Sequence, residues 1–309
     1  MTALTRDLAF FALQNHSQDV PLVVRDLIRT RVAEAAGLAV ANTPKPPADL
    51  MLRTLTGFSN SEEVGVLGRT ERLGLCDAPI VTAVAILSGW QDLAFNSSAL
   101  VDIDRGWPDG PIIAAALAVG EYTGATWGEV LDSLVLAIEI GLRIEGAMSP
   151  AFLTTGWIAG AVAARLGAAI VSGRLLNLNV EQMVSALGLA ATQVAGVLEA
   201  ETSPINSTVL GKAAGDGVEA AVLAQIGFDG PAAPIEGRRG LLEVLARGAN
   251  DHQSIMVELG VKWRVSELTE RGGRMGWLGD ARSSDKAFNM QDQMDVSLLL
   301  AGSTHSNVE

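Results

Sequence analysis

The sequence predicts a mostly α-helical protein. Apolar residues recur every three or four positions along most of the chain, and strand-like alternation is nearly absent before residue 250. Gly-, Pro-, Ser- and Asn-rich breaks separate the periodic stretches, as expected for short connections between helices. The many alanines and glycines allow helices to approach closely, which is typical of an all-helical bundle. With 309 residues, 49% of them hydrophobic, the chain can bury a sizeable core.

The clearest helical pattern spans residues 21–42, and Pro21 suits its first turn. Comparable patterns predict helices at residues 79–94, 111–123, 127–147, 157–173, 180–199, 208–227 and 238–247. NTPKPP, AMSP and TSPINS are among the predicted breaks. After residue 250 the periodicity is lost. We therefore expect one helical domain over residues 1–248 and a short appendage with a frayed tail over residues 249–309.

Charge and composition limit the partners and the location of the protein. A formal net charge of −13 disfavours binding to nucleic acid and to anionic membrane surfaces. The most apolar run, residues 157–173, carries Arg165 near its centre and therefore predicts a core helix rather than a membrane span. Arg165 would either form a buried ion pair or extend to the surface. One cysteine, Cys76, and the lack of a signal-peptide pattern predict a cytoplasmic protein.

The motifs of common cofactor enzymes are missing from the sequence. The three histidines are far apart, at positions 16, 252 and 305, and no cluster has the spacing of metal ligands. The sequence contains no P-loop, no G-x-G-x-x-G after a strand and no G-x-S-x-G elbow. We therefore expect no metal and no cofactor, and a dehydrogenase, kinase or serine hydrolase is disfavoured.

The stretch DIDRGWPDGP, residues 102–111, places acids around Trp107 just before a predicted helix. Two of its carboxylates, such as Asp102 and Asp104, could serve as general acid and base if their surroundings separated the two pKa values. The alternative is that Asp109 caps the helix and the other acids are solvated. Acidic residues are common at helix starts for capping alone, so capping is favoured.

Two further positions permit either a structural or a functional interpretation. Glu199 would end the helix predicted over residues 180–199, where a carboxylate opposes the helix dipole, so a functional role is as plausible as a structural one. Lys212 lies beside Gly211, Gly215 and Gly217, which would let either a substrate or another helix approach the backbone. Close helix packing is the favoured explanation.

Six stretches, in order along the chain, resemble the MmgE/PrpD family, which includes 2-methylcitrate dehydratase, cis-aconitate decarboxylase and iminodisuccinate epimerase. They are APIVTAVAILSGWQDLAFNSS, WPDGPIIAAALAVGEYTGATWGEVLDSLVLAIEIGLRI, FLTTGWIAGAVAARLGAA, ALGLAATQVAGVLE, GKAAGDGVEAAVLAQIGFDGP and IEGRRGLLEVLA, within residues 20–248. The resemblance implies a large all-helical domain in a homodimer that acts without a cofactor on small polycarboxylates. The family's smaller α/β lid domain would be missing or reduced here.

The chain departs from the family at the positions that carry its chemistry. The family's His-Ala-x-Asp-Phe-Asp-Asp-Thr motif falls on residues 91–98, which include Phe95, Asn96 and Ser98, and its His-Pro falls on Trp107-Pro108.

Further along the chain, a family histidine matches Leu153 in FLTTG, and the family's Lys-x-Leu-His segment matches residues 206–209, where Asn206 replaces lysine and Val209 replaces histidine. Titratable and cationic groups are thus replaced by neutral or apolar ones, which weakens proton transfer and the binding of a carboxylate.

The sequence therefore predicts a modified pocket, and three hypotheses remain open. The favoured one is an enzyme, for example of specialised metabolism, that isomerises or cyclises a largely apolar small molecule. The second is a lyase, a dehydratase or decarboxylase, with replacement carboxylates as acid and base. The third is a non-catalytic subunit that binds a ligand or a partner. The candidate catalytic residues are Asp104, Trp107, Glu199 and Asn206; the candidate substrate-binding residues are Phe95, Asn96, Ser98, Leu153, Trp157, Val209 and Lys212.

Overall fold

The computed structural model describes residues 4–16, 19–96, 109–200, 203–247 and 252–267 and confirms the predicted mostly helical class. The helices are α1 Leu4–Gln14, α2 Leu22–Asn42, α3 Ala48–Thr56, α4 Ala78–Asn96, α5 Asp109–Thr123, α6 Trp127–Thr155, α7 Ala159–Leu175, α8 Val180–Thr192, α9 Ile205–Gln225, α10 Leu241–Leu245 and α11 His252–Met256. Strands β1 Val64–Gly65 and β2 Arg72–Leu73 pair antiparallel between α3 and α4.

Helix α7 forms the centre of the bundle. Every residue of this helix apart from Arg174 is buried, and α5, α6, α8 and α9 pack around it. Arg165 does not extend to the surface, because its side chain is only 2% exposed and forms an ion pair with Asp216. The apolar run is therefore a core helix, as predicted. Within the described ranges, no helix combines the length and the apolar character that a membrane crossing requires.

Three glycines allow α9 to pack closely against α4 and α7. A Cβ atom on Gly211 would lie 2.5 Å from Val84 Cγ2, and one on Gly215 would lie 2.6 Å from the carbonyl oxygen of Cys76. A Cβ atom on Gly217 would lie 2.7 Å from the backbone nitrogen of Ala169. A Cβ atom does not approach non-bonded atoms this closely, so glycine is required for this packing. The favoured explanation of these glycines, close helix packing, is confirmed.

A buried ion pair connects α2 to the start of α5. Arg31 donates from Nε (2.9 Å) and Nη2 (2.6 Å) to Oδ2 of Asp109, whose side chain is fully buried. Asp109 is the first residue of α5, so it lies at the helix start as expected, but its hydrogen bonds run to Arg31 and not to the helix amides. The expected capping role is therefore replaced by a cross-link between two helices.

A second buried ion pair holds residues 252–267 against α6. The guanidinium of Arg143 donates to Glu139 (2.6 Å) and to the carbonyl oxygens of Val257 (2.7 Å) and Lys262 (2.6 Å). The other carboxylate oxygen of Glu139 accepts from the Val265 amide at 3.0 Å. This part of the predicted appendage therefore packs on the helical bundle. The domain boundary at residue 248 stays a prediction, and the predicted tail from residue 268 lies outside the described residues.

Several predicted helix boundaries are wrong. The helix predicted over residues 180–199 ends at Thr192, because the backbone of residues 196–198 pairs with residues 156–158. The break predicted at AMSP lies inside α6, which continues to Thr155; a single proline removes only one hydrogen bond of a long helix. Helices α1, α3 and α11 were not predicted.

We expect the substitution Gly217→Ala to lower the free energy of unfolding by roughly 1–3 kcal/mol, because the added methyl group must displace the backbone of α7. The matched control is Gly37→Ala in α2, where an added Cβ has no neighbour within 4 Å. That substitution should stabilise the protein by about 0.5–1 kcal/mol through helix propensity. Urea denaturation measures both changes. Equal midpoints for Gly217→Ala and wild type would show that the two helices are not in close contact.

Candidate functional site

The candidate site is built on a short backbone bridge between two loop segments. The Leu198 amide donates to the Gly156 carbonyl (2.8 Å), and the Ile158 amide donates to the Gly196 carbonyl (3.1 Å). Trp157 and Val197 lie opposite each other in this bridge. The first segment joins α6 to α7 and the second follows α8. The bridge therefore lies at one end of the bundle, where three helices end or begin.

Gly196 allows the start of α9 to contact this bridge. Its φ of 131° is in the region that glycine favours, and a Cβ atom at this position would lie 3.2 Å from Val209 Cγ1. Asn206 lies one turn earlier on α9, and its Oδ1 atom is buried without a hydrogen-bond partner. Trp157 and Val209 are both partly buried and lie next to the same loop. The unsatisfied amide oxygen of Asn206 lies one turn from Val209 on the helix.

Arg165 fixes the loop that follows α8. Its Nη1 donates to the carbonyl oxygens of Ala161 and Ala195, both at 3.1 Å, and its Nε donates to Asp216 Oδ2 at 2.8 Å. Burial lowers the pKa of Arg165 below the ordinary value of arginine, although the negative charge of Asp216 acts in the opposite direction. One buried side chain thus connects α7, α9 and the loop.

The structure places the predicted catalytic residue Glu199 and the predicted substrate-binding residue Lys212 on neighbouring segments. Glu199 does not end α8 but lies on the short 3₁₀ turn Leu198–Ala200, where it is exposed, so the argument from the helix dipole was wrong. Lys212 is exposed on α9, one turn beyond Val209. Trp157, Glu199 and Val209 therefore lie around one loop, and Asn206 and Lys212 lie on the adjoining turns of α9.

The side chains of the remaining predicted residues lie outside the described part of the structure. Ser98, Asp104 and Trp107 lie outside the described residues. Phe95 and Asn96 belong to the last turn of α4 and Leu153 belongs to the last turn of α6, but their side chains are also outside the described part.

The end of α4 nevertheless lies beside the start of α9. Gly215 faces Cys76, near the start of α4, whereas Gly211 faces Val84, farther along α4. The two helices are therefore antiparallel, which brings the last turn of α4 to the end of the bundle where α9 begins.

Sequence reasoning missed Gln193. This residue directly follows α8, and its Oε1 atom is buried without a hydrogen-bond partner. No spacing or motif marks it, because a single glutamine beside an apolar helix is an ordinary feature of sequences. No three His, Cys, Asp or Glu side chains of the described ranges are grouped so that they could hold a metal ion.

These features define a mostly helical domain with a loop-built candidate site at one end of the bundle. The model of the MmgE/PrpD N-terminal domain matches residues 6–254. The chain therefore belongs to the MmgE/PrpD family, and the resemblance found in the sequence is confirmed.

Two curated relatives are similar to the chain. Cis-aconitate decarboxylase of Aspergillus terreus is 23% identical over 273 residues, which cover 85% of this chain and 55% of the relative. Cis-aconitate decarboxylase-like protein oryM of Aspergillus oryzae is 24% identical over 230 residues, covering 74% of this chain and 48% of the relative. The chain thus spans about half the length of these relatives.

We expect Arg165→Met to destabilise the protein by roughly 3 kcal/mol, since it leaves Asp216 without its partner. Hydrogen exchange of the Leu198 and Ile158 amides should also accelerate, because the loop loses its link to α7. The double variant Arg165→Met/Asp216→Leu should recover part of the stability but not the protection of these amides. Unchanged exchange in both variants would contradict the role of Arg165 in fixing the loop.

We also expect the Cys76 thiol to react slowly. Burial, followed by the nearby acids Glu219 and Asp77, raises its pKa to about 11. At pH 8 the thiolate fraction is then about 100-fold lower than for a free cysteine, and alkylation by iodoacetamide should slow by at least that factor relative to the unfolded chain. Mass spectrometry of timed samples measures the rate. Equal alkylation rates in the native and the unfolded protein would contradict the raised pKa of the Cys76 thiol.

Proposed function

We propose that this chain is the helical part of a lyase-like MmgE/PrpD enzyme whose substrate is an organic acid with a larger apolar body than a simple polycarboxylate. The names of its relatives support the reaction class, since both are described as cis-aconitate decarboxylase or as similar to it. The observation that carries the proposed substrate class is the position of two apolar side chains at the 196–198 loop, Trp157 opposite Val197 and Val209 beside Gly196.

The charges of the candidate site support an acid with few carboxylates. Lys212 is an exposed cation beside Val209, whereas the guanidinium of Arg165 is buried and paired with Asp216. One accessible lysine suits one carboxylate, bound through charge-assisted hydrogen bonds. Trp157 and Val209 would then contact the apolar part of the substrate.

In this proposal Glu199 and Asn206 take polar roles. In a decarboxylation, the electron pair of the broken carbon–carbon bond stays on the substrate carbon, which must then receive a proton. Glu199 would act as the general acid that delivers that proton and would regain one from solvent, and the product would leave with carbon dioxide. The unsatisfied Oδ1 of Asn206 would accept a hydrogen bond from a substrate hydroxyl or carboxyl group.

A second candidate is the isomerisation or cyclisation of a largely apolar molecule. It is favoured by the apolar side chains at the 196–198 loop, Trp157 opposite Val197 and Val209 beside Gly196. An apolar wall could then act mainly by holding the substrate in a reactive conformation. In both candidates Asp104 and Trp107 remain predicted catalytic residues, and Phe95, Asn96, Ser98 and Leu153 remain predicted substrate contacts. The homodimer, the lack of a cofactor and the cytoplasmic location also stay predictions.

A panel of substrates distinguishes the reaction classes. The purified full chain is incubated with cis-aconitate and with analogues that carry alkyl chains of increasing length, and the products are identified by mass. We expect loss of carbon dioxide, or of water, with a kcat/KM that rises with alkyl length. A product of unchanged mass would favour the isomerase candidate. Binding of every acid without a product would favour a non-catalytic role, and turnover of cis-aconitate alone would contradict the apolar substrate.

Glu199→Gln should lower kcat by a factor of about 100 or more, because the neutral amide cannot transfer the proton. Glu243→Gln is the matched control, since Glu243 is also exposed but lies on α10. Steady-state kinetics with the best acid of the panel measures both variants. Full activity of Glu199→Gln would remove Glu199 from the mechanism while leaving the substrate class open to the test with alkylated acids.

A further inference from the structure

A concave region lies at the opposite end of the bundle from the candidate site. This cleft has a volume of about 600 Å³, within the usual range for small-molecule sites. It is formed by the end of α1, the turn from α5 to α6 and the turn from α7 to α8; its walls include Leu13, His16, Asp132, Arg174, Asn177 and Leu178. Helix α7, with 17 residues, separates it from the candidate site by about 25 Å.

Arg174 in this cleft differs from the buried arginines of the bundle. Arg31, Arg143 and Arg165 each form an ion pair with a carboxylate, at 2.6, 2.6 and 2.8 Å. Arg174, which is partly buried, instead donates to the Ala12 carbonyl and, at 3.4 Å, to the Ser133 hydroxyl. Both of these acceptors are neutral. Arg174 therefore lines the cleft while its hydrogen bonds run to neutral acceptors, whereas each of the other three arginines bonds a carboxylate.

The electrostatics of the side chain agree with this geometry. Burial lowers the pKa of Arg174 from the ordinary arginine value, and the charge of Asp132 only partly opposes the change. An anion bound at the guanidinium would offset the free-energy cost of burying this positive charge. A carboxylate matches the planar fork of arginine donors better than other small anions with a single charge.

The negatively charged side chains in the cleft limit which organic acid could bind beside Arg174. Glu129 and Asp132 lie one turn apart on α6, and the carboxylate of Glu129 already accepts hydrogen bonds from Thr126. The carboxyl ends of α1, α5 and α7 meet here together with the amino ends of α6 and α8, so the partial charges of these helix ends oppose one another. Glu129 and Asp132 would therefore repel a second carboxylate on the ligand, whereas an amino or hydroxyl group could donate to Asp132.

We propose that this cleft binds a small monocarboxylate that also carries an amino or hydroxyl group, with its carboxylate on Arg174 and its donor group directed to Asp132. This site is separate from the candidate active site and does not depend on the proposed reaction. Its distance from that site suits a ligand that is not turned over.

Ligand-observed NMR titrations of the full chain test the proposal, with glycine, glycolate, acetate, malonate and glycolamide as probes. We expect glycine or glycolate to bind at least tenfold more tightly than glycolamide, which lacks the negative charge, and than malonate, which has a second one. Asp132→Asn should reduce the preference for glycolate over acetate. Equal binding of glycolate and glycolamide, or no binding of any acid to the folded chain, would overturn the proposal.

Arg174→Met should weaken binding at least tenfold. Arg174 also donates a hydrogen bond to the end of α1, so Arg174→Met could disturb the fold as well as binding. Arg174→Lys is the second variant, because it keeps the positive charge but loses the planar pair of donor groups. It should weaken binding less than Arg174→Met does. Arg53→Met on α3, where the arginine side chain is 72% exposed, should leave binding unchanged. If instead Glu199→Gln or Val209→Lys abolished binding while Arg174→Met did not, the acid would occupy the candidate active site and the cleft proposal would be wrong.

Discussion

The close packing of α9 against α7 and α4 is the constraint on which the rest of the structure depends. Gly211, Gly215 and Gly217 bring the backbones of these helices to distances that no larger residue permits. Interiors packed at this density adjust poorly to added volume, so the position of α9 is fixed along most of its length. The first turns of α9, which carry Asn206 and Val209, are therefore held in place by contacts farther along the same helix.

Buried ion pairs complete this framework by joining segments that are distant in sequence. Arg31 joins α2 to Asp109 at the start of α5, and Arg143 joins α6 to residues 252–267. Arg165 joins α7 to α9 and to the loop of the candidate site. Pairs of this kind contribute little net stability, because both ions lose their hydration, but breaking one is costly.

The sequence was more informative about the presence of helices than about their ends. Periodicity predicted α7 and the core role of its apolar run, because burial on all sides of a helix requires nearly every residue to be apolar. It extended α8 to Glu199, because apolar residues continue past Thr192. The chain leaves the helix there since Gly196 and Leu198 pair with another loop, and such pairing between distant segments leaves no periodic trace.

The mostly helical class, the central helix, the glycines that allow close packing and the family could all be predicted from the sequence, since they depend on local pattern and on ordered motifs. The contacts of each charged residue became visible in the folded structure alone. Arg165 and Asp216 are 51 positions apart, and Arg31 and Asp109 are 78 apart. The same holds for Asn206 and Gln193, whose unsatisfied oxygens are defined by what surrounds them. Such contacts form between segments that meet only after folding, and a single sequence carries no signal of which distant partners will meet.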